Sequence, residues 1–150
     1  TPLHLAIMRG KTHMAVLPLK AGADVTARGY RNKTALHMAC CSGKIETAKM
    51  SIESGADVNA RDANGETPLH NYQGLLRLKM VSLLVDHGAN VRALTNRKGE
   101  PLVKAAYYAS TATINYLLDH GADINHHDWE GDVPLFESIR TKQHDAVPLL

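Results

Sequence analysis

The chain has 150 residues, 44% apolar, 21% charged and 5% aromatic, enough for one domain with a substantial core. Its 17 Lys and Arg against 15 Asp and Glu leave a net charge of +2, too small an excess for a dedicated nucleic-acid or membrane-surface protein. Adjacent Cys40 and Cys41 give no spaced disulfide framework, no apolar run approaches the roughly 20 residues of a membrane span, and no signal peptide opens the chain, so the expected location is cytoplasmic, with the nucleus as alternative.

Thr1-Pro2-Leu3-His4 reads as a helix start, with Thr as cap and Pro where a missing N–H costs nothing. Leu3 faces the core, Ala6 permits close helix approach, and Gly10 falls just beyond a short helix, where a left-handed residue ends it. A second helix carries Ala15 and, one turn on, Leu19, and stops at Gly22-Ala23-Asp24-Val25. The start recurs as Thr34-Ala35-Leu36-His37 and Thr67-Pro68-Leu69-His70, then more weakly at Glu100-Pro101-Leu102-Val103 and Val133-Pro134-Leu135-Phe136. Each start lies 33 residues after the last, and Gly55-Ala56-Asp57-Val58, Gly88-Ala89-Asn90-Val91 and Gly121-Ala122-Asp123-Ile124 keep the same beat. Ala39 and Ala105 share the phase of Ala6. Ala48, Val81 and Ile114 share that of Ala15, with Ile52, Val85 and Leu118 four residues on. Between units, a stretch such as 58–66 is polar and rich in turn formers, which suits a projecting finger.

With this period and the T-P-L-H-x-A start, the sequence resembles the ankyrin repeat family. The resemblance spans the chain as units 1–33, 34–66, 67–99 and 100–132 and a partial fifth, 133–150. It implies an all-α solenoid of stacked antiparallel helix pairs with projecting β-hairpin or turn fingers. Residue 1 enters without a preceding finger and Leu149-Leu150 stop inside a helix, so a segment of a longer array is expected.

Departures from the pattern carry their own expectations. In the third unit Tyr72 puts a large ring at the close-approach position, where overpacking costs about 1–3 kcal/mol, and Gly74 weakens the helix by about 1 kcal/mol. A distorted first helix is predicted there. The fourth unit lacks the Thr found between Glu66 and Pro68, and one extra residue before Asn96 restores the period, which predicts a third finger of different shape. Asn32 stands where Gly65 and Gly131 stand, and tolerates the left-handed turn.

The chemistry-bearing residues give no catalytic or metal constellation. The resemblance implies that His4, His37 and His70 hydrogen-bond between neighbouring turns, while His87 and His120 sit at helix ends that welcome positive charge. His126-His127 point opposite ways along an extended segment and lack zinc spacing. Cys40 is placed in the core and Cys41 outward; no phosphate loop, nucleophile elbow or acid/base pair is found. No enzyme activity, cofactor, metal, nucleic acid, membrane or small-molecule substrate is expected.

The resemblance further implies that a protein partner docks on finger tips and on outward residues of the first helices, along a concave face. Carried over, the helix positions are Met8 and Arg9, Cys41 and Ser42, Gly74 and Leu75, Tyr107 and Tyr108, and Arg140 and Thr141. The finger positions are Tyr30, Arg31 and Lys33; Ala63, Asn64 and Glu66; Asn96, Arg97 and Lys98; and Trp129, Glu130 and Asp132. Interfaces favour Trp, Tyr and Arg, so Arg97, Tyr107, Tyr108 and Trp129 lead the candidates. Formal charges on the four fingers run +3, −1, +3 and −3, a register for a partner of complementary charge, and protonation of His126 and His127 near pH 6 would soften the acidic end. The alternatives are a regulatory or substrate-recruiting arm of a larger enzyme or signalling ATPase, and a structural spacer. Asn59 and Asn125 occupy the finger position that asparaginyl hydroxylases modify in related repeats.

Overall fold

The computed structural model describes residues 1–9, 21–73, 77–107, 110–131 and 133–134, which form two compact units, Thr1–Ala89 and Asn90–Leu150. Among the described residues the secondary structure is helices and turns, without strands. In the first unit α1 (Pro2–Met8), a 3-10 turn at the tip of finger one (Tyr30–Asn32), α2 (Ala35–Cys41) and α3 (Ile45–Glu53) are followed by a second 3-10 turn (Pro68–His70) and α4 (Arg77–Asp86). The second unit pairs α5 (Pro101–Tyr107) with α6 (Thr111–Asp119). Within the first unit, α2 packs against α1, α3 and the second 3-10 turn, and α4 against α3.

The period fixes the core. Leu3, Leu36, Leu69 and Leu102 are all buried, as are Ala39 and Ala105 at the close-approach phase. On the second helices Ala48, Val81 and Ile114 are buried, but their buried partners are Ser51, Leu84 and Leu117, three residues on. Ile52, Val85 and Leu118 are half-buried. The inner face also includes Thr47, Met80 and Thr113, so it is centred one residue earlier than the four-residue spacing implies.

Helix ends explain the Gly-Ala landmark. Gly55, Gly88 and Gly121 take φ of 89, 87 and 90°, and a Cβ on any of them would meet nothing within 4 Å. The left-handed backbone, rather than lack of room, therefore selects glycine. The following Ala N–H then donates to the carbonyl five residues back, at 2.9 Å for Ala56 to Ser51, and 3.0 Å for both Ala89 to Leu84 and Ala122 to Leu117. The acidic or amide residue next in line caps the loop: Asp57 Oδ1 accepts from Asn59 N at 2.8 Å, Asn90 Oδ1 from Arg92 N at 2.9 Å, and Asp123 Oδ1 from Asn125 N at 3.0 Å. At two helix ends the imidazoles of His87 and His120 donate to Leu83 and Tyr116 carbonyls at 2.8 and 2.7 Å.

Each finger is a tight turn. Gly29, Asp62 and Thr95 donate their N–H to the carbonyls of Lys33, Glu66 and Gly99 at 2.8, 2.9 and 3.1 Å. Asn32, Gly65, Lys98 and Gly131 hold the left-handed tip position, with φ from 59 to 81°. The third finger thus keeps the common closure, contrary to the shape difference expected from its loop. Thr95 Oγ1 accepts from Gly99 N at 3.0 Å, as Asp62 Oδ1 accepts from Glu66 N at 3.0 Å. Glu100 occupies the position of the missing Thr.

The third unit is where the first helix gives way. Thr67 still caps, but only the 3-10 turn Pro68–His70 forms where α1, α2 and α5 have seven residues each. The Tyr72 ring is fully buried, and Gln73 N donates to Cys40 O at 3.2 Å, tying the chain to the end of α2. The chain accommodates the ring by giving up helix. Gly10, Ala15, Leu19, Gly74, Leu75, Leu135, Arg140, Thr141, Leu149 and Leu150 lie outside the described residues, as does the Met8 side chain.

Candidate functional site

The expected binding residues fall into a group within each unit. In the second unit, finger four presents the Trp129 side chain at 74% exposure. Its N–H donates to Arg97 O at 2.9 Å, so the backbone of finger three fixes its base. Arg97 Nη1 reaches Glu130 Oε1 at 3.9 Å, with both side chains mostly in solvent. Such a pair is worth at most about 1 kcal/mol and leaves both charges available. Tyr107 ends α5 at 45% exposure. Tyr108 and Asp132 lie outside the described residues.

In the first unit, Tyr30 stands 84% exposed at the tip of finger one, with the Arg31 guanidinium 5.7 Å from its ring centroid. Arg31 and Asn32 are both left-handed, an unusual pair for residues with side chains. Two bonds to finger two over-determine this tip. Ala63 N donates to Arg31 O at 2.9 Å, and Arg28 Nη1 donates to both Asn32 O and Arg61 O, at 3.1 and 2.9 Å. Arg9 is exposed at the end of α1. Leu5, on α1, and Leu78, on α4, are also exposed; their phase in the repeat gave no signal for it.

Lys33 differs from its neighbours on the finger. Its ammonium lies 3.1 Å from Asp62 Oδ2 and 3.7 Å from Glu66 Oε2, and donates to Asn71 Oδ1 at 2.6 Å. Asn71 Nδ2 closes the ring by donating to Glu66 Oε2 and Thr67 O at 3.2 and 3.3 Å. Burial would push the Asp62 carboxyl up, but Lys33 and the N–H groups of Asn64 and Glu66 outweigh it and hold the group below the usual carboxylate range. Lys33 therefore works as an internal cross-link between finger one and the residues around the second 3-10 turn.

The signature histidines are structural. His4 Nε2 lies 3.0 Å from Lys33 O and His37 Nε2 3.0 Å from Glu66 O. A carbonyl only accepts, so Nε2 carries the hydrogen, and Nδ1 of His37 accepts from Thr34 N at 3.2 Å. Neutral imidazole satisfies both contacts. Burial lowers the pKa of both rings, against the raising effect of those carbonyls. The folded form thus binds a proton less readily than the unfolded chain. Its stabilisation is complete above about pH 6.5 and is lost as pH falls below that value. Urea unfolding of the first unit, followed by amide exchange, is expected to show lower stability at pH 5 than at pH 7.5, with a smaller difference in His37→Gln.

Cys40 is buried beside Met80, with Sγ to Sδ at 3.7 Å, and burial pushes its thiol pKa far up, leaving it inert at neutral pH. Cys41 is part-exposed, and both cysteines are free. Among the described residues, no group of three His, Cys, Asp or Glu is arranged to hold a metal, and no helix is long and apolar enough to cross a membrane.

The family described as ankyrin repeats (3 copies) matches residues 1–62, 49–128 and 73–150. The chain belongs to the ankyrin repeat family. Ankyrin repeats serve generally as protein–protein interaction modules and are typically non-enzymatic. The helix pairs described above are consistent with the stacking of that family. Among curated proteins, none matches the chain.

Proposed function

We propose that this ankyrin chain is a non-enzymatic recognition module that binds a protein partner through its finger tips and the outward ends of its first helices, in a cytoplasmic setting. The observation that carries the reading is Trp129, the chain's one tryptophan, held 74% exposed on a fixed base between Arg97 and Glu130. An exposed indole on such a turn contributes little to its own unit, and Trp, Tyr and Arg dominate interface energetics. The candidate residues form one group in each unit: Trp129, Tyr107, Tyr108, Arg97, Glu130 and Asp132 in the second, and Tyr30, Arg31 and Arg9 in the first, with Lys33 setting the position of finger one. No cofactor or small-molecule substrate enters this reading.

Affinity capture from lysate tests it, comparing the chain with Tyr107→Ala, Tyr108→Ala and Trp129→Ala combined. Circular dichroism checks that both fold alike. A specific protein retained by the wild type is expected to bind the triple variant at least about 30-fold more weakly, the loss of one hot spot of about 2 kcal/mol. An unchanged eluate would assign the chain to a spacer or to an arm that contacts its own protein.

A further inference from the structure

In the fourth unit Glu100 stands where Thr1, Thr34 and Thr67 stand in theirs, and Val103 where His4, His37 and His70 stand. The carboxylate is not an idle substitute, because its side chain is 2% exposed. Oε2 accepts from Asp123 N at 3.2 Å, and Oε1 lies 3.5 Å from Arg92 Nε and 3.7 Å from His126 Nδ1. Arg92 Nη2 also donates to Asp123 Oδ2 at 3.3 Å. The lost histidine is replaced from another direction: His126, on finger four, sets Nε2 2.7 Å from the Lys98 carbonyl at the tip of finger three.

The tautomer decides what this arrangement does. Nε2 faces a carbonyl, so it holds a hydrogen. In the neutral ring Nδ1 then turns a lone pair toward a carboxylate oxygen. In the protonated ring Nε2 still donates to Lys98 O, and the positive charge stands at ion-pair distance from Glu100, with Nδ1 3.7 Å from Oε1. His37 holds the same Nε2–H tautomer, but its Nδ1 accepts an N–H from Thr34 and leaves no place for a second proton. The acidic groups on the elements around His126 are Glu100, Asp123 and Asp128, and the basic ones are Arg92, Lys98 and His127. The buried carboxylate makes the closest acidic contact.

We infer that His126 is a proton-operated latch: its protonation fastens finger four to finger three and holds Trp129 in place, and its deprotonation loosens that finger. As a control on partner binding this rests on the recognition reading, but the latch itself can be tested in the free chain. The Trp129 amide, bonded to Arg97 O, reports the contact between the fingers. The Ala63 amide, bonded to Arg31 O, reports the corresponding contact in the first unit, where the charge pair behind it is Lys33 with Asp62 rather than a histidine with a carboxylate.

The experiment is amide exchange by NMR on the 150-residue chain from about pH 8 to about pH 5, corrected for the intrinsic exchange rate of each amide. Trp129 protection is expected to rise about fivefold on acidification while Ala63 protection does not rise. Glu100→Gln, which keeps an oxygen for Asp123 N, should abolish the rise, and His127→Gln should keep it. If Glu100→Gln does not fold, His126→Gln, whose amide can still donate to Lys98 O, carries the same expectation. A flat wild-type profile, a rise shared by Ala63, or a rise surviving in the Glu100 or His126 variant would overturn the latch. Partner capture answers separately: a partner lost on Trp129→Ala without the exchange response sinks the latch alone, and the exchange response without a partner sinks only the recognition reading.

Discussion

Lys33→Met will destabilise the first unit by about 3 kcal/mol at neutral pH, far more than the loss of a surface lysine. The cost comes from what remains. Asp62 keeps a buried carboxylate whose Oδ2 faced the ammonium at 3.1 Å, and Asn71 Oδ1 loses a donor at 2.6 Å. A negative charge enclosed without its cation costs several kcal/mol, whereas an apolar replacement of both partners is close to neutral. Lys33→Met with Asp62→Leu should therefore recover part of the loss, despite removing two charged groups. The acid response supplies an independent sign. In the wild type the Asp62 carboxyl lies below its ordinary range, so its stabilisation is present above about pH 4 and is lost as pH falls through the lowered value. In Lys33→Met burial acts with less opposition and favours the protonated acid, so the gap between variant and wild type should narrow toward pH 4. Urea unfolding across that range measures both. A loss under about 1 kcal/mol, or a gap that widens in acid, would show that solvent already screens the network.

Tyr72→Ala installs the residue type found at Ala39 and Ala105, and it will nonetheless destabilise the chain by about 3 kcal/mol. At Ala39 and Ala105 a seven-residue helix brings backbone close, whereas in the third unit a 3-10 turn has yielded that space to a fully buried ring. Removing the ring opens a cavity that the surrounding core fills only in part. Extension of Pro68–His70 into a full helix would offset some of the loss, opposed by Gly74. Denaturant unfolding followed by circular dichroism distinguishes the outcomes. A more stable variant with higher helical signal would mean that the ring is a defect the unit tolerates rather than a part of its core.

The features legible in the sequence are those every unit shares. Leu3, Leu36, Leu69 and Leu102 meet the same surroundings at the same phase, and Gly55, Gly88 and Gly121 meet the same left-handed helix end. The third finger misled because different residues can close one turn: Thr95 does with a hydroxyl what Asp62 does with a carboxylate. Lys33 and His126 were harder still. Both look like exposed finger residues in their own units, and what draws them inward is a departure elsewhere, Asn71 for Lys33 and Glu100 for His126. A departure reveals its meaning only with its distant partner, and one sequence does not pair them. For the proposed binding residues, the exposure of Tyr30 and Trp129 followed from their place at finger tips.

The ties between fingers and units have nearly one length. His4 to Lys33 and His37 to Glu66 span 29 residues, and Arg28 to Arg61 spans 33. Closing each therefore costs nearly the same chain entropy, since that cost grows only with the logarithm of loop length. Within the first unit, no such closure must wait for a much larger one. Folding can begin wherever two adjacent repeats first meet, and a nucleus formed at α1 and α2 loses nearly the same chain entropy at each added step, so growth pauses only where a neighbouring pair is weak. The kinetics of such a chain are set by how strong its weakest neighbouring pair is, and the third unit, with its shortened first helix, is where that pause falls.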